Sequence, residues 1–177
     1  MCFSQDRNSV WVFGDSAGID FSNLSNPIPF SSGMDGRGSC ASIADTNGHL
    51  QCYAFTNGTS DWSTLVMNNQ HLQMLNGHSI TGLAWYNELV IIPRDSNKYF
   101  LFSYGSDTPN NDGLYYSLID MNSNGGLGSV IAKNVQLNPN RIGDCLTAVK
   151  HGNGRDWWVI CYFQFQVELI IIGFLNI

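Results

Sequence analysis

Turn-forming clusters separate short β-type runs in this chain, with strand-to-strand spacings of about 8–15 residues that suit a meander and almost nothing at helical spacing. The clusters are Asp45-Thr46-Asn47-Gly48, Asp95-Ser96-Asn97, Asp107-Thr108-Pro109-Asn110-Asn111-Asp112-Gly113, Asn122-Ser123-Asn124-Gly125-Gly126 and Gly152-Asn153-Gly154. Asn, Asp and Gly tolerate the positive φ that tight hairpins demand, so each cluster is read as a chain reversal. Between them lie β-type runs: Val10–Phe13, Cys40–Ile43, Leu50–Phe55, Glu88–Ile92, Tyr99–Tyr104, Leu114–Asp120, Val130–Val135, Leu146–Lys150, Trp157–Phe163 and Gln166–Ile172. The one stretch with helical appeal is Thr64 to Leu75, and its Asn-Asn-Gln content favours an irregular segment as much. Parallel βαβ units would need helical stretches that are missing, so the pattern predicts an all-β, antiparallel meander.

At 177 residues the chain fits one domain, a single β module over 1–177, able to bury roughly 70% of its unfolded surface. Only 12% of residues are charged and the net charge is −6, so a phosphate backbone would be repelled. No nucleic acid partner is expected, and no Lys/Arg run marks a membrane-surface helix. The first residues, Met1-Cys2-Phe3-Ser4-Gln5-Asp6-Arg7, lack the apolar core of a signal peptide. Residues 164–177 form an atypical apolar tail, whose stretch from Val167 to Ile177 is too short to span a bilayer and reads as a buried strand.

The five cysteines, Cys2, Cys40, Cys52, Cys145 and Cys161, form no Cys-x-x-Cys pair, and no zinc-type spacing to a histidine occurs. A two- or four-residue loop at Asp45–Gly48 pairs odd with even positions, which places Cys40 and Cys52 on opposite sheet faces. They are expected to be reduced, buried and apolar in behaviour.

Candidate chemistry is sparse. Phe13-Gly14-Asp15-Ser16 resembles the first block of the Gly-Asp-Ser esterases and lipases, in which the serine is the nucleophile. No Gly-x-Asn-Asp block or Asp-x-x-His follows, so a strand-end turn is expected, with Asp15 and Ser16 bonding local backbone amides. His49, His71, His78 and His151 sit in different turns without ligand spacing and are read as solvated or backbone-bonded, although two could converge at a propeller axis. Gly125-Gly126-Leu127-Gly128 lacks the Lys-Ser/Thr of a phosphate loop and reads as a hairpin. The loop from Asp107 to Asp112 carries oxygen ligands, and calcium there is a minor alternative, since the twelve-residue pattern and closing Glu are missing. Trp11, Trp62, Trp85, Trp157 and Trp158 offer stacking surface, and strand alternation requires that one of Trp157 and Trp158 face inward. No catalytic, cofactor-binding or metal residue is assigned, and no cofactor is expected.

An aromatic-β pattern recurs in Ser9-Val10-Trp11-Val12-Phe13, Lys98-Tyr99-Phe100-Leu101-Phe102, Gly113-Leu114-Tyr115-Tyr116-Ser117 and Asp156-Trp157-Trp158-Val159-Ile160, as in propeller blades. Longer phrases carry a family likeness. They are Trp11 to Phe21, Cys40 to Leu50, Gly77-His78-Ser79, Val90-Ile91-Ile92-Pro93, Gly113 to Met121 with Asn124 to Gly128, and Leu146 to His151 with Trp157 to Ile160. Together, in order, they resemble the N-terminal, propeller-like region of gliding-motility-associated bacterial surface proteins secreted by the type 9 system. The chain departs from that pattern after Trp62 and after Ile160. The resemblance implies incomplete β-propeller-like blades, part of a larger propeller, in a secreted or cell-surface, non-catalytic module of scaffold or adhesion type. Its partners would be a glycan, a peptide or a neighbouring protein, and an unpaired sheet edge would favour self-association. The alternative is a Gly-Asp-Ser esterase using Ser16.

Overall fold

The computed structural model describes residues 6–57, 63–82, 89–105, 113–143, 146–162 and 169–174, with residues 37 and 169–174 given by backbone alone. Every strand pairing in its three sheets is antiparallel, and within each sheet the strands follow chain order.

The first sheet begins with a hairpin of β1 (Val10–Phe13) and β2 (Asp15–Asp20). β1 buries Val10 and Val12 and turns Trp11 and Phe13 outward, the alternation that a half-covered strand requires. β3 (Ile28–Ala44) is 17 residues long because it serves two neighbours. Its first half pairs with β2 and its second half with β4 (Leu50–Asn57), the register breaking between Gly36 and Cys40. Glycine is needed at this bend: a Cβ on Gly36 would meet the Phe55 ring at 2.9 Å, and one on Gly33 would fall on the His71 carbonyl. The bend curls the sheet towards closure. Ser42 Oγ donates to the Val10 carbonyl at 2.9 Å, and the Ala44 amide donates to the Arg7 carbonyl at 2.8 Å. β5 (Thr64–Asn68) completes the sheet. Residues 72–80 then return beside β5, the Met74 amide bonding the Val66 carbonyl at 2.9 Å and the Ile80 amide that of Thr64 at 3.1 Å.

The second sheet is β6 (Leu89–Pro93), β7 (Lys98–Gly105), β8 (Gly113–Asp120) and β9 (Ser129–Asn138). The third is β10 (Thr147–Lys150), β11 (Trp157–Tyr162) and β12 (Leu169–Phe174). Side-chain alternation makes the second sheet a slab covered on both faces. Ile91, Tyr99, Leu101 and Ile119 join Ile43, Cys52 and Val66 of the first sheet in one cluster. Ile92, Phe102, Tyr104 and Leu114 join Val159 and Cys161 of the third in another. A further cluster of Val12, Met34, Tyr53, Phe55 and Met67 lies between the N-terminal strands and β4–β5. The sheets therefore stack like blades, with the second half of β3 beside β6 and β6 beside β10.

An amide clamp ties the first two sheets at their outer rim. Asn134 Oδ1 accepts the Thr81 amide at 2.8 Å while its Nδ2 donates to the Ser79 carbonyl at 3.0 Å. Lys133 Nζ reaches Asn76 Oδ1 at 2.9 Å and the His78 carbonyl at 3.0 Å.

The strand runs read from sequence lie within observed strands where they are described, except that Leu146 stands just ahead of β10. β2, the first half of β3 and β5 are additional, and β5 occupies part of the Thr64–Leu75 stretch. The aromatic-β phrases fall on β1, β7, β8 and β11, so two share one sheet and the phrase is not one blade. Cys40 pairs with Phe55 and Cys52 with Ile43, which puts the two sulfurs on opposite faces. Cys40, Cys52 and Cys161 are free thiols; burial pushes Cys52 up to about 12 and Cys161 to about 11. The tail supplies β12, paired to β11 from Trp157 through Tyr162. Among the described residues no helix is long and apolar enough to cross a membrane.

Candidate functional site

The inner strands of the stack converge on a cleft of about 540 Å³. Its walls come from Arg7 and Asn8 ahead of β1, Ala41–Ile43 of β3, Val90–Ile92 of β6, Ala148 and Lys150 of β10, and Trp157 of β11. Each sheet reaches it for a local reason. Arg7 is anchored by its own carbonyl, which accepts the Ala44 amide. Lys150 ends β10 opposite Trp157. The small side chains of Ala41 and Ala148 leave the strands accessible.

Among the described residues β6 pairs only with β7, and β10 only with β11. Ile91 and Ile92 bury their side chains in different clusters, so what these two present to the cleft is main chain. An open strand edge carries unpaired N–H and C=O groups in a row.

The charge is one-sided. Arg7 and Lys150 are two of only eight cationic residues in the chain, and the described lining holds no carboxylate. Arg7 Nη1 approaches the Tyr99 hydroxyl at 3.5 Å, and its carbon lies 5.9 Å from that ring's centre. Its Nε is buried without a hydrogen-bond acceptor. Burial raises the Tyr99 hydroxyl above its ordinary pKa, against an opposing pull from Arg7.

The residues singled out from sequence lie elsewhere. Ser16, at φ 60, occupies the β1–β2 corner, and its Oγ donates to the Met34 carbonyl at 3.1 Å. The expected local amide bonds at this corner are thus replaced by a long-range one to a carbonyl, because the corner folds onto β3. None of the four histidines lines the axial cleft. His49 and His71 instead converge on a side cleft of about 500 Å³, with Asp20, Ser22, Phe30 and Asn47. His71 stacks on Phe30, 5.4 Å between centroids, and its Nδ1 lies 3.2 Å from the Tyr53 hydroxyl, which also accepts the Gly33 amide at 3.0 Å. His49 Nδ1 lies 3.4 Å from Asp45. His78 Nδ1 lies 3.2 Å from Ser79 Oγ, and His151 accepts the Asn153 amide and packs its ring against Trp158.

Of the tryptophans, Trp157 packs against the second cluster and Trp158 points outward, 37% exposed, beside Val149. Trp11 is 54% exposed and meets Phe21 edge to face at 5.1 Å in a shallow cleft with Asp6, Ser22 and Leu24. Gly125 and Gly126 belong to a single 3-10 turn joining β8 to β9. Trp62, Trp85, Cys2, Cys145 and the loop from Asp107 to Asp112 lie outside the described residues. Among the described residues no group of three or more His, Cys, Asp or Glu is placed to hold a metal.

Sequence reasoning missed Arg7 and Lys150, since each is an isolated cation at a strand boundary and only folding brings the two together. Compared with protein-family models, with curated proteins and with solved structures, the chain gives no match.

Proposed function

We propose that the chain is a non-catalytic, secreted or cell-surface binding module in which propeller-like sheets act as a scaffold for a central ligand cleft. The observation that carries this reading is the convergence of three sheets and the N-terminal segment on one cleft whose charged lining, among the described residues, is cationic. The phrase-by-phrase likeness to type 9-secreted, gliding-motility-associated surface proteins supports the compartment and the adhesion-type role. An aliphatic, edge-lined cleft on a rigid sheet scaffold suits recognition rather than turnover.

The Gly-Asp-Ser alternative asks Ser16 for a nucleophile. That hydroxyl donates its proton to the Met34 carbonyl, whereas activation requires a base to accept it. A fluorophosphonate probe applied to the folded protein is expected to leave it unlabelled. Labelling that disappears in Ser16→Ala, with the β-type circular dichroism intact, would replace the binding reading with the hydrolytic one.

A further inference from the structure

We infer that the central cleft takes the carboxyl terminus of a peptide, with Arg7 receiving the terminal carboxylate. The inference rests on the binding-module reading and names its ligand. Three features of the cleft coincide with what a chain terminus presents.

The first is charge. Arg7 stands in the cleft wall, and among the described residues no carboxylate lines it, which suits an anionic ligand. Arg7 is equipped for a carboxylate in particular: its buried Nε has no acceptor, and its Nη1 reaches only the Tyr99 hydroxyl at 3.5 Å. A guanidinium fork meets the two oxygens of a carboxylate side by side, and a partly desolvated pair of this kind is stronger than one in water.

The second is main chain. Among the described residues β6 and β10 each leave one edge without a strand, and no backbone hydrogen bond joins β6 to β3 or β10. An extended peptide supplies alternating N–H and C=O groups that such an edge can pair, and this is how sheet edges capture peptide termini in general. The third is shape. Ala41, Ala148, Val90 and Trp157 give half-buried apolar surface beside the cations, suited to a terminal aliphatic side chain, and about 540 Å³ accommodates a few residues but no folded domain.

The test is an array of hexapeptides bearing each of the twenty residues at the C-terminus, printed as free acids and as C-terminal amides, with oligouronates spotted beside them. Hits are then measured by fluorescence anisotropy. The expected result is binding of free acids with aliphatic termini, about tenfold weaker for the amide and for Arg7→Gln, and weakened by salt. Lys150→Gln, at an exposed position on the same wall, is expected to weaken binding less than Arg7→Gln. Equal binding of acid and amide, or indifference to both variants, would overturn the proposal. Arg7-dependent binding of oligouronates alone would also overturn it while keeping the binding-module reading. Folded protein that binds neither class sinks the peptide proposal, whereas Ser16-dependent fluorophosphonate labelling sinks the module reading.

Discussion

At the scale of single residues, short polar side chains do the work of turning the chain. Asp45 Oδ1 accepts the amides of Asn47 and His49 at 2.8 and 2.9 Å, and Asp95 Oδ1 those of Asn97 and Lys98 at 3.0 and 2.9 Å. Asn68 binds the amides of Gln70 and Leu72, and Asn153 those of Arg155 and Asp156. Each is a turn closed by a side chain that accepts backbone amides a few residues ahead, which is why a sequence rich in Asn and Asp suits this fold. Burial pushes Asp45 up, but the amides of His49 and Asn47 and the His49 ring together hold it below the ordinary carboxylate value. A carboxyl lowered in the folded state stabilises above its unfolded pKa, and that contribution is lost as pH falls through the folded one. Thermal melts across pH 2–7 are therefore expected to show Asp45→Ala losing stability at neutral pH and converging on wild type in acid. Asp45→Asn, which keeps the oxygen acceptor, should lose less and show a flatter acid dependence at this site.

At the scale of elements, what could be read from sequence depended on how completely each strand is covered. β6 and β7 stand out as apolar runs, Leu89-Val90-Ile91-Ile92 and Tyr99-Phe100-Leu101-Phe102, because both faces of their sheet are packed. β2 was illegible because Asp15-Ser16-Ala17-Gly18-Ile19-Asp20 contains little that packs by itself. The Phe30 ring lies where a side chain on Gly18 would be, so its burial is supplied from across the pair. The first half of β3 was hidden by Pro29, two serines and the glycines of the bend, and β5 by the Asn-Gln residues that follow it. The rim clamp was equally invisible, since Asn134 meets Ser79 and Thr81 only after two sheets have stacked. Asn134 also sits at φ 56, where glycine is comfortable and a branched side chain is not. Asn134→Gly, which relieves the backbone but deletes both amide bonds, is expected to cost about 1–2 kcal/mol in urea unfolding. A cost near zero would mean that water replaces the clamp without loss.

At the scale of the molecule, the second sheet is the common wall of two cores, and Ile91 and Ile92 are neighbouring residues that serve one core each. Ile91→Ala and Ile92→Ala are each expected to cost about 2–5 kcal/mol through lost burial and the cavity left behind. Fluorescence and circular dichroism should still report one shared unfolding transition for both variants; separate transitions would show that the blades unfold independently. The all-β class and the antiparallel meander were legible because they follow from local periodicity and turns. The cleft was not, because Arg7, Ser42, Val90 and Lys150 have no relation in the sequence and acquire one only around the shared centre. That arrangement also sets a schedule. During synthesis Arg7 emerges well before Lys150, so the cleft stays open on one side until the third sheet has been translated and has docked. A ligand held between these walls would pass over chains whose third sheet has not yet docked, and by binding the docked ones would hold that sheet in place.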